Sequence, residues 1–421
     1  QDGFLRKFSS SSLSSISPAS FHRTLPASLS LSLNALAAAI GPAVLAAPTG
    51  NNLKISNMDA INVVPDSYII VYHEEVPMET FHTSMNQVKD MFSQRDTTTV
   101  GGSFAIGNLK GYHVIAQEAD LAEIVASPHV SYVEKNTKVY ASTLTTQSDA
   151  TWGLGAISHK AQDSTSYIYD STAGSGVTVY VVDTGIYIDH SEFGSRATWG
   201  ANFVDSDDTD GNGHGTHCAG TIAGSTYGVA KLANLVAVKV LDANGEGSTA
   251  GVIQGISYVA ENAEANSVLS MSLGGGVSTT LNTAVRNAID NGVTVVAAAG
   301  NDGESAAEHS PASEPLAITV GAIDINNAKA SWSNFGNLVD VFAPGVDILS
   351  AWIGNPTATN TISGTSMACP HIAGLAAYLI GLEDLSTPAA VQTRIKALGV
   401  PGVTSAGSGS PDLIAYNGNG A

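Results

Sequence analysis

The run Val177-Thr-Val-Tyr-Val-Val182, ending in Asp183-Thr184-Gly185, decides the fold. Every position in it is apolar, β-branched or aromatic, with no alternation, which predicts a strand covered on both faces, as in the middle of a parallel sheet. Asn234 to Val240, Ser267 to Ser272, Val293 to Ala298 and Ala317 to Val320 have the same character, and helical stretches separate them. Strands alternating with helices predict an α/β unit from about Thr151 onward. In such a sheet the functional crevice lies at the carboxyl ends of the strands. Asp183 is therefore a candidate by position, although a strand-end Asp equally suits a turn cap or a ribose ligand.

Upstream, residues 66 to 141 read as a small α+β unit: strand Ser67 to Tyr72, helix Glu79 to Ser93, strand Tyr112 to Ala116, short helix Asp120 to Ala126 and strand Val130 to Tyr140. That order predicts a split βαβ, ferredoxin-like sandwich. The Ser/Thr-rich link Ala141 to Asp149 has no apolar period and invites proteolysis. Nearer the start, basic Arg6, Lys7 and Arg23 precede the apolar run Leu29 to Ala47, which closes on Leu45-Ala46-Ala47 before Pro48. Basic region, apolar stretch and small-residue cleavage site read as a secretory signal, with a membrane anchor as the alternative. The organisation expected is a leader at 1–47, a region at 48–142 whose folded part is about 66–141, and a larger domain at 143–421.

A chain of 421 residues with 43 glycines and only 13% charged residues suits a packed α/β protein rather than a disordered one. The formal charge of −20, from 17 basic against 37 acidic residues, repels polyanions and excludes nucleic acid as a partner. Two cysteines, Cys218 and Cys369, make no disulfide framework and are expected to be buried thiols. Beyond the leader no stretch reads as long and apolar enough to span a bilayer, so the mature form is expected to have no membrane partner.

Two further segments carry chemistry. Gly213-His214-Gly215-Thr216-His217-Cys218-Ala219-Gly220 opens a helix, where a histidine can lie against both a carboxylate and a nucleophile. Its other readings are a buried, satisfied His217 or a metal pair, and the three-residue spacing without a following Glu argues against metal. Ser363-Gly364-Thr365-Ser366-Met367-Ala368-Cys369-Pro370-His371 is a Gly-bearing turn into the apolar helix Ile372 to Ile380. Ser366 there reads as an N-cap or as a nucleophile whose own N–H faces the oxygen it creates. Asn301-Asp302-Gly303 reads by itself as a turn, and the acidic loop Asp205 to Asp210 as solvated.

Taken in order, Asp183-Thr-Gly, Gly213-His-Gly-Thr-His-Cys-Ala-Gly220 and Gly364-Thr-Ser-Met-Ala-Cys-Pro-His371 resemble the three signatures of the subtilase family. Residues 143 to 421 resemble its proteinase K-like secreted fungal alkaline protease group. The order Asp, His, Ser differs from those of chymotrypsin-like and α/β-hydrolase enzymes, and Ala368 stands where a GxSxG elbow would need its last Gly.

The resemblance implies a subtilisin-like three-layer fold with a mostly parallel central sheet, and a secreted serine endopeptidase acting on protein and peptide substrates. It implies Ser366 as nucleophile, His214 as base and Asp183 as the group orienting His214, with the Asn301 side chain and the Ser366 N–H as oxyanion hole. It also implies a substrate-pairing strand, Ser272, Leu273 and Gly274 running on to Gly275, as one wall of the first specificity pocket. Ala298, Ala299 and Gly300 would form the other wall, with Ser310-Pro311-Ala312 near the floor. Small walls without fixed charge predict cleavage after apolar or aromatic residues.

A family calcium site is implied at the Pro315 and Ala317 carbonyls with the Asp340 carboxylate, and no organic cofactor. The half-cystines of the proteinase K group are missing, Ile318 standing at one such position. The unit at 66–141 resembles the inhibitor propeptide, implying a monomeric, self-processing zymogen whose mature chain starts near Thr143. The rivals are a silent binding protein on the same fold and a nucleotide-dependent enzyme, against which no GxGxxG follows the Val177 strand.

Overall fold

The computed structural model describes residues 55–57 and 63–420, apart from 94, 96–97, 138–142, 163 and 265. The leader expected at 1–47 lies outside these residues.

The first unit runs β1 (Val63–Tyr72), α1 (Met78–Phe92), β2 (Thr99–Ile106), β3 (Leu109–Ile115), α2 (Glu118–Val125) and β4 (Val130–Thr137). Its strands form one sheet in the order β2-β3-β1-β4, with β1 antiparallel to both neighbours. Ile70, Tyr72, Phe81, Tyr112, Leu121 and Val133 are buried between sheet and helices. The expected ferredoxin-like α+β unit is therefore present, with one strand more than the sequence reading contained. That strand, β2, reads TVGGSFAI with mostly exposed side chains. It shows neither an apolar run nor a clean alternation, and its register shifts between Val100 and Ser103, across the glycine pair. Pairing with β3 through the turn at Gly107, whose φ of +58° suits glycine, makes it a strand.

The second unit opens with β5 (Leu144–Gln147), α3 (Trp152–Ser158) and β6 (Tyr167–Asp170), with β5 paired antiparallel to β6. There follow β7 (Thr178–Asp183), β8 (Ala197–Asn202), α4 (His214–Ala223), β9 (Asn234–Lys239), α5 (Thr249–Asn262), β10 (Val268–Met271), β11 (Gly275–Gly276), α6 (Thr279–Asp290) and β12 (Thr294–Ala298). The chain ends through β13 (His309–Ser310), β14 (Ile318–Ile323), β15 (Val341–Pro344), β16 (Ile348–Ala351), β17 (Thr359–Ile362), α7 (Thr365–Glu383) and α8 (Pro388–Leu398). Seven strands make the central sheet in the order β15-β14-β12-β10-β7-β9-β8, every pair parallel.

Side chains one apart on β7 enter opposite layers. Val179 and Val181 pack with Ile222 of α4 and Ile372 and Leu375 of α7. Tyr180 and Val182 pack with Val252 and Ile256 of α5 and Leu281 and Val285 of α6. Helices on both faces make the three layers, which is why the strand sequences show no alternation. The edge strands β8 and β15 escaped the sequence reading. Helix α7 corrects another expectation: an 18-residue stretch of its 19 residues has a mean hydropathy of 1.3, long and apolar enough to cross a bilayer. It is instead the buried axis of the core, enclosed on all sides from Met367 to Ile380.

Helix starts separate the elements by role. Ser248, Ser278 and Thr387 cap α5, α6 and α8 through side-chain oxygens. Helices α4 and α7 begin instead at Gly213 and Gly364, with no side-chain cap. Ser366 lies inside the first turn of α7 and does not cap it.

Candidate active site

Asp183, at the carboxyl end of β7, is fully buried. Its Oδ1 accepts from Thr184 N–H at 2.7 Å and meets His214 Nδ1 at 2.7 Å, while Oδ2 is buried without a hydrogen-bond partner. His214 reaches it because α4 packs closely on the strand end: a Cβ at Gly215 would fall 2.1 Å from Gly185 O and 3.2 Å from Asp183 Cβ. Burial presses the His214 pKa down, but the Asp183 charge and hydrogen bond outweigh it, and the ring is held well above its ordinary value.

The start of α4 is locked by Asp210. Its Oδ1 accepts from Asn212 N at 3.0 Å and Gly213 N at 2.8 Å, and its Oδ2 from Thr216 N at 2.9 Å. Thr184 Oγ1 donates to Asp210 at 2.8 Å and accepts from Gly215 N at 2.9 Å. The sequence reading placed Asp210 in a solvated acidic loop. Asp205, Asp207 and Asp208 are exposed as expected, but Asp210 is buried. A pattern DxxGH, with an acid placed to cap an uncapped helix, was the available clue.

Ser366 lies beside Ser272. Ser366 Oγ donates to Ser272 O at 3.1 Å, and Ser272 Oγ donates to Ser366 O at 2.9 Å. No hydrogen bond joins Ser366 Oγ to the His214 ring, although both side chains line one cleft of about 730 Å³. Cys218 Sγ donates to Ser366 O at 3.4 Å and lies 3.9 Å from His214 Nδ1. Both cysteines are free and buried. Burial raises the Cys218 pKa and pushes Cys369 up to about 12, so both are neutral thiols that fill space behind the cleft.

Asn301 follows β12. Its Oδ1 accepts from Thr365 N at 2.8 Å and Thr365 Oγ1 at 2.9 Å, which turns its Nδ2 toward the start of α7. A Cβ built on Gly364 would lie 3.5 Å from Ser366 N and 3.7 Å from Asn301 Nδ2. Both nitrogens therefore lie beside the space that the glycine leaves open. The loop is braced by buried Asn334, which donates to Ala299 O at 2.9 Å and accepts from Asp302 N and Glu304 N, each at 3.0 Å. Thr365 and Asn334 were not singled out from sequence. Thr365 adjoins the Ser366 motif, whereas nothing local marks Asn334, which lies 33 positions from Asn301 in the chain.

Next to Ser366 is a second cavity of about 390 Å³, with Leu273 and Gly274 on one side and Ala298, Ala299 and Gly300 on the other. Ser310 and Ala312 also line it, while Ser272 lies in the larger cleft. The slot is not free of charge. Asp302 and His309 are part of its lining, with His309 Nε2 3.6 Å from Asp302 Oδ2 and 3.9 Å from Glu304 Oε2.

Two of the three groups expected to hold calcium are otherwise engaged. Asp340 Oδ2 accepts from Thr319 N at 3.0 Å, and Oδ1 accepts from Lys396 Nζ at 2.9 Å and Gln392 Nε2 at 3.2 Å. Gln392 Nε2 also reaches Ala317 O at 3.4 Å. Calcium takes six to eight oxygen ligands, and a carboxylate oxygen already paired with an ammonium, beside a carbonyl bound by an amide, does not fit it.

Residues 174–406 match the profile of the Subtilase family. The chain is 56% identical over 397 residues to "Subtilisin-like protease 2" of Pseudogymnoascus destructans, covering 93% of this chain and 99% of that one. It is 52% identical over 384 residues to a "Cuticle-degrading serine protease" of Arthrobotrys oligospora, covering 87% and 93%. With "Alkaline protease 1" of Aspergillus clavatus it shares 47% identity over 398 residues, covering 91% and 97%. A crystal structure of a cold-adapted subtilisin-like serine proteinase superposes with a TM-score of 0.61 at 44% identity, covering 64% of this chain and 99% of that one.

Proposed function

Because this chain belongs to the subtilase family and is a subtilisin-like serine protease, we propose that Asp183, His214 and Ser366 are its catalytic groups. The observation that carries this reading is the 2.7 Å bond from His214 Nδ1 to a buried carboxylate, on a ring that shares its cleft with Ser366. With Nδ1 held by Asp183, the neutral ring keeps Nε2 free to accept a proton. Ser366 Oγ leaves the Ser272 carbonyl, attacks the scissile carbonyl carbon and passes its proton to His214. Contacts of this kind are commonly long until substrate is in place.

The oxygen that becomes negative accepts from Asn301 Nδ2 and the Ser366 N–H. Thr365 supports this role by holding Asn301 Oδ1, so the amide presents its donor side. Imidazolium, stabilised by the Asp183 charge, then protonates the leaving amine, and water releases the acyl group by the reverse sequence. Leu273–Gly274 and Ala298–Gly300 receive an apolar or aromatic side chain before the cut bond, while Asp302 at the rim favours a basic end on a long one.

The unit at 63–137 acts as an inhibitory propeptide, the chain is cut near Thr143, and the enzyme works outside the cell as a monomer. Support for secretion is the leader sequence and the likeness to alkaline and cuticle-degrading fungal proteases. The test is expression of the chain beside Ser366→Ala, with mass and N-terminal sequencing and a serine-directed fluorophosphonate. The proposal expects wild type cut near Thr143 and labelled, and the variant uncut and unlabelled. Equal cutting of both without labelling would reject it.

A further inference from the structure

We propose that the Lys396 ammonium and the Gln392 side-chain amide stand in the place of a metal ion at Asp340, so that this corner of the fold is held without calcium. Asp340 precedes β15 and is 8% exposed. It is tied to β14 from both sides, since its N–H donates to Thr319 O at 2.9 Å and its Oδ2 accepts from Thr319 N at 3.0 Å. That leaves Oδ1 as the oxygen able to bind an outside cation, and there Lys396 Nζ sits at 2.9 Å.

Gln392 and Lys396 are four apart on α8 and so share one face of the helix. From that face Gln392 Nε2 bridges Asp340 Oδ1 and Ala317 O. One helix face thus supplies a positive charge and N–H donors to two of the three expected ligand groups, and links β14, β15 and α8 as an ion would. A divalent cation on Oδ1 would have to displace the ammonium and meet its repulsion at close range. Lys396 also lies in the last turn of α8, where the helix dipole favours a cation.

The test compares unfolding midpoints of fluorophosphonate-blocked enzyme in excess calcium and in EGTA, for wild type, Asp340→Asn and Lys396→Met. The wild type and Asp340→Asn are expected to respond to chelation equally, so that whatever calcium does elsewhere cancels. Lys396→Met, which keeps the length of the stem and removes the charge, is expected to melt several degrees lower in EGTA and to recover in calcium. A wild type that loses more on chelation than Asp340→Asn would place a metal on that carboxylate and overturn the proposal. So would a Lys396→Met enzyme whose midpoint is indifferent to calcium, an arm that decides even if Asp340→Asn does not fold.

Discussion

His214 and His217 stand one turn apart on α4 and are treated in opposite ways. His214 faces the strand end and meets a carboxylate, which holds its pKa well above the ordinary 6.5. His217 faces the core, where its Nε2 bonds Ile348 O at 2.9 Å and its Nδ1 has no hydrogen-bond partner. There burial dominates and lowers its pKa to about 4. Helix α7 repeats the contrast: Ser366 opens on the cleft, while buried His371, with Nδ1 2.8 Å from Met367 O, is likewise lowered by burial to about 4. First-turn residues meet the cleft and gain chemistry. His217 and His371, a turn deeper, bond carbonyls within the core and become neutral packing.

The strongest way to break this contrast is Asp183→Asn, which leaves His214 with burial but without the charge. We expect kcat/KM on a peptide anilide to fall by about 10⁴-fold, the order known for the same change in a Ser-His-Asp triad. An unchanged rate would mean that Asp183 does not orient the base. Asn301→Ala sharpens the catalytic side: kcat should fall about 10²–10³-fold with little change in KM, the range measured on subtilisin itself.

On the structural side the prediction concerns acid. His217 and His371 have folded pKa values near 4 against 6.5 unfolded. The unfolded chain therefore binds their protons first as pH falls. Stability is complete above pH 6.5 and is lost between 6.5 and 4, by about 3 kcal/mol for each ring. Urea unfolding of blocked enzyme at stepped pH checks this, and His217→Gln should flatten the slope. In the wild type the opposite shift on His214 should put the acid limb of kcat/KM above pH 6.5, because only neutral imidazole accepts the proton. A limb at or below that value would remove the distinction between the two rings. The smallest effect is at the slot rim, where Asp302 is largely exposed. Asp302→Asn should weaken cleavage after Lys by about two- to fivefold, as befits an exposed charge, and leave cleavage after Phe unchanged.

Much of this was legible in the chain. Strands β7, β9, β10, β12 and β14 declare themselves because burial on both faces leaves near-continuous apolar runs in which polar residues do not alternate. The edge strands β8 and β15, and glycine-rich β2, have no such pattern and become strands only by pairing with a neighbour. Asp183, His214 and Ser366 could be picked out only together, because three segments of small residues at a strand end and two helix starts, in that order, resemble the subtilase signatures. Asp210 and Thr365 leave only a faint trace, in the DxxGH pattern and beside the Ser366 motif, and Asn334 leaves none, since an amide in a turn looks the same whether solvated or buried.

The sequence by itself determined the layered fold, the order of the chemical groups and the small residues that let backbones approach. Tertiary structure alone decided which histidine meets a carboxylate, which serine is free of a capping role, and that Lys396 fills Asp340. Those outcomes depend on which atoms face each other across the fold. A residue's charge and hydrogen bonds come from such neighbours, and they lie 31 residues away for His214 and 56 for Lys396.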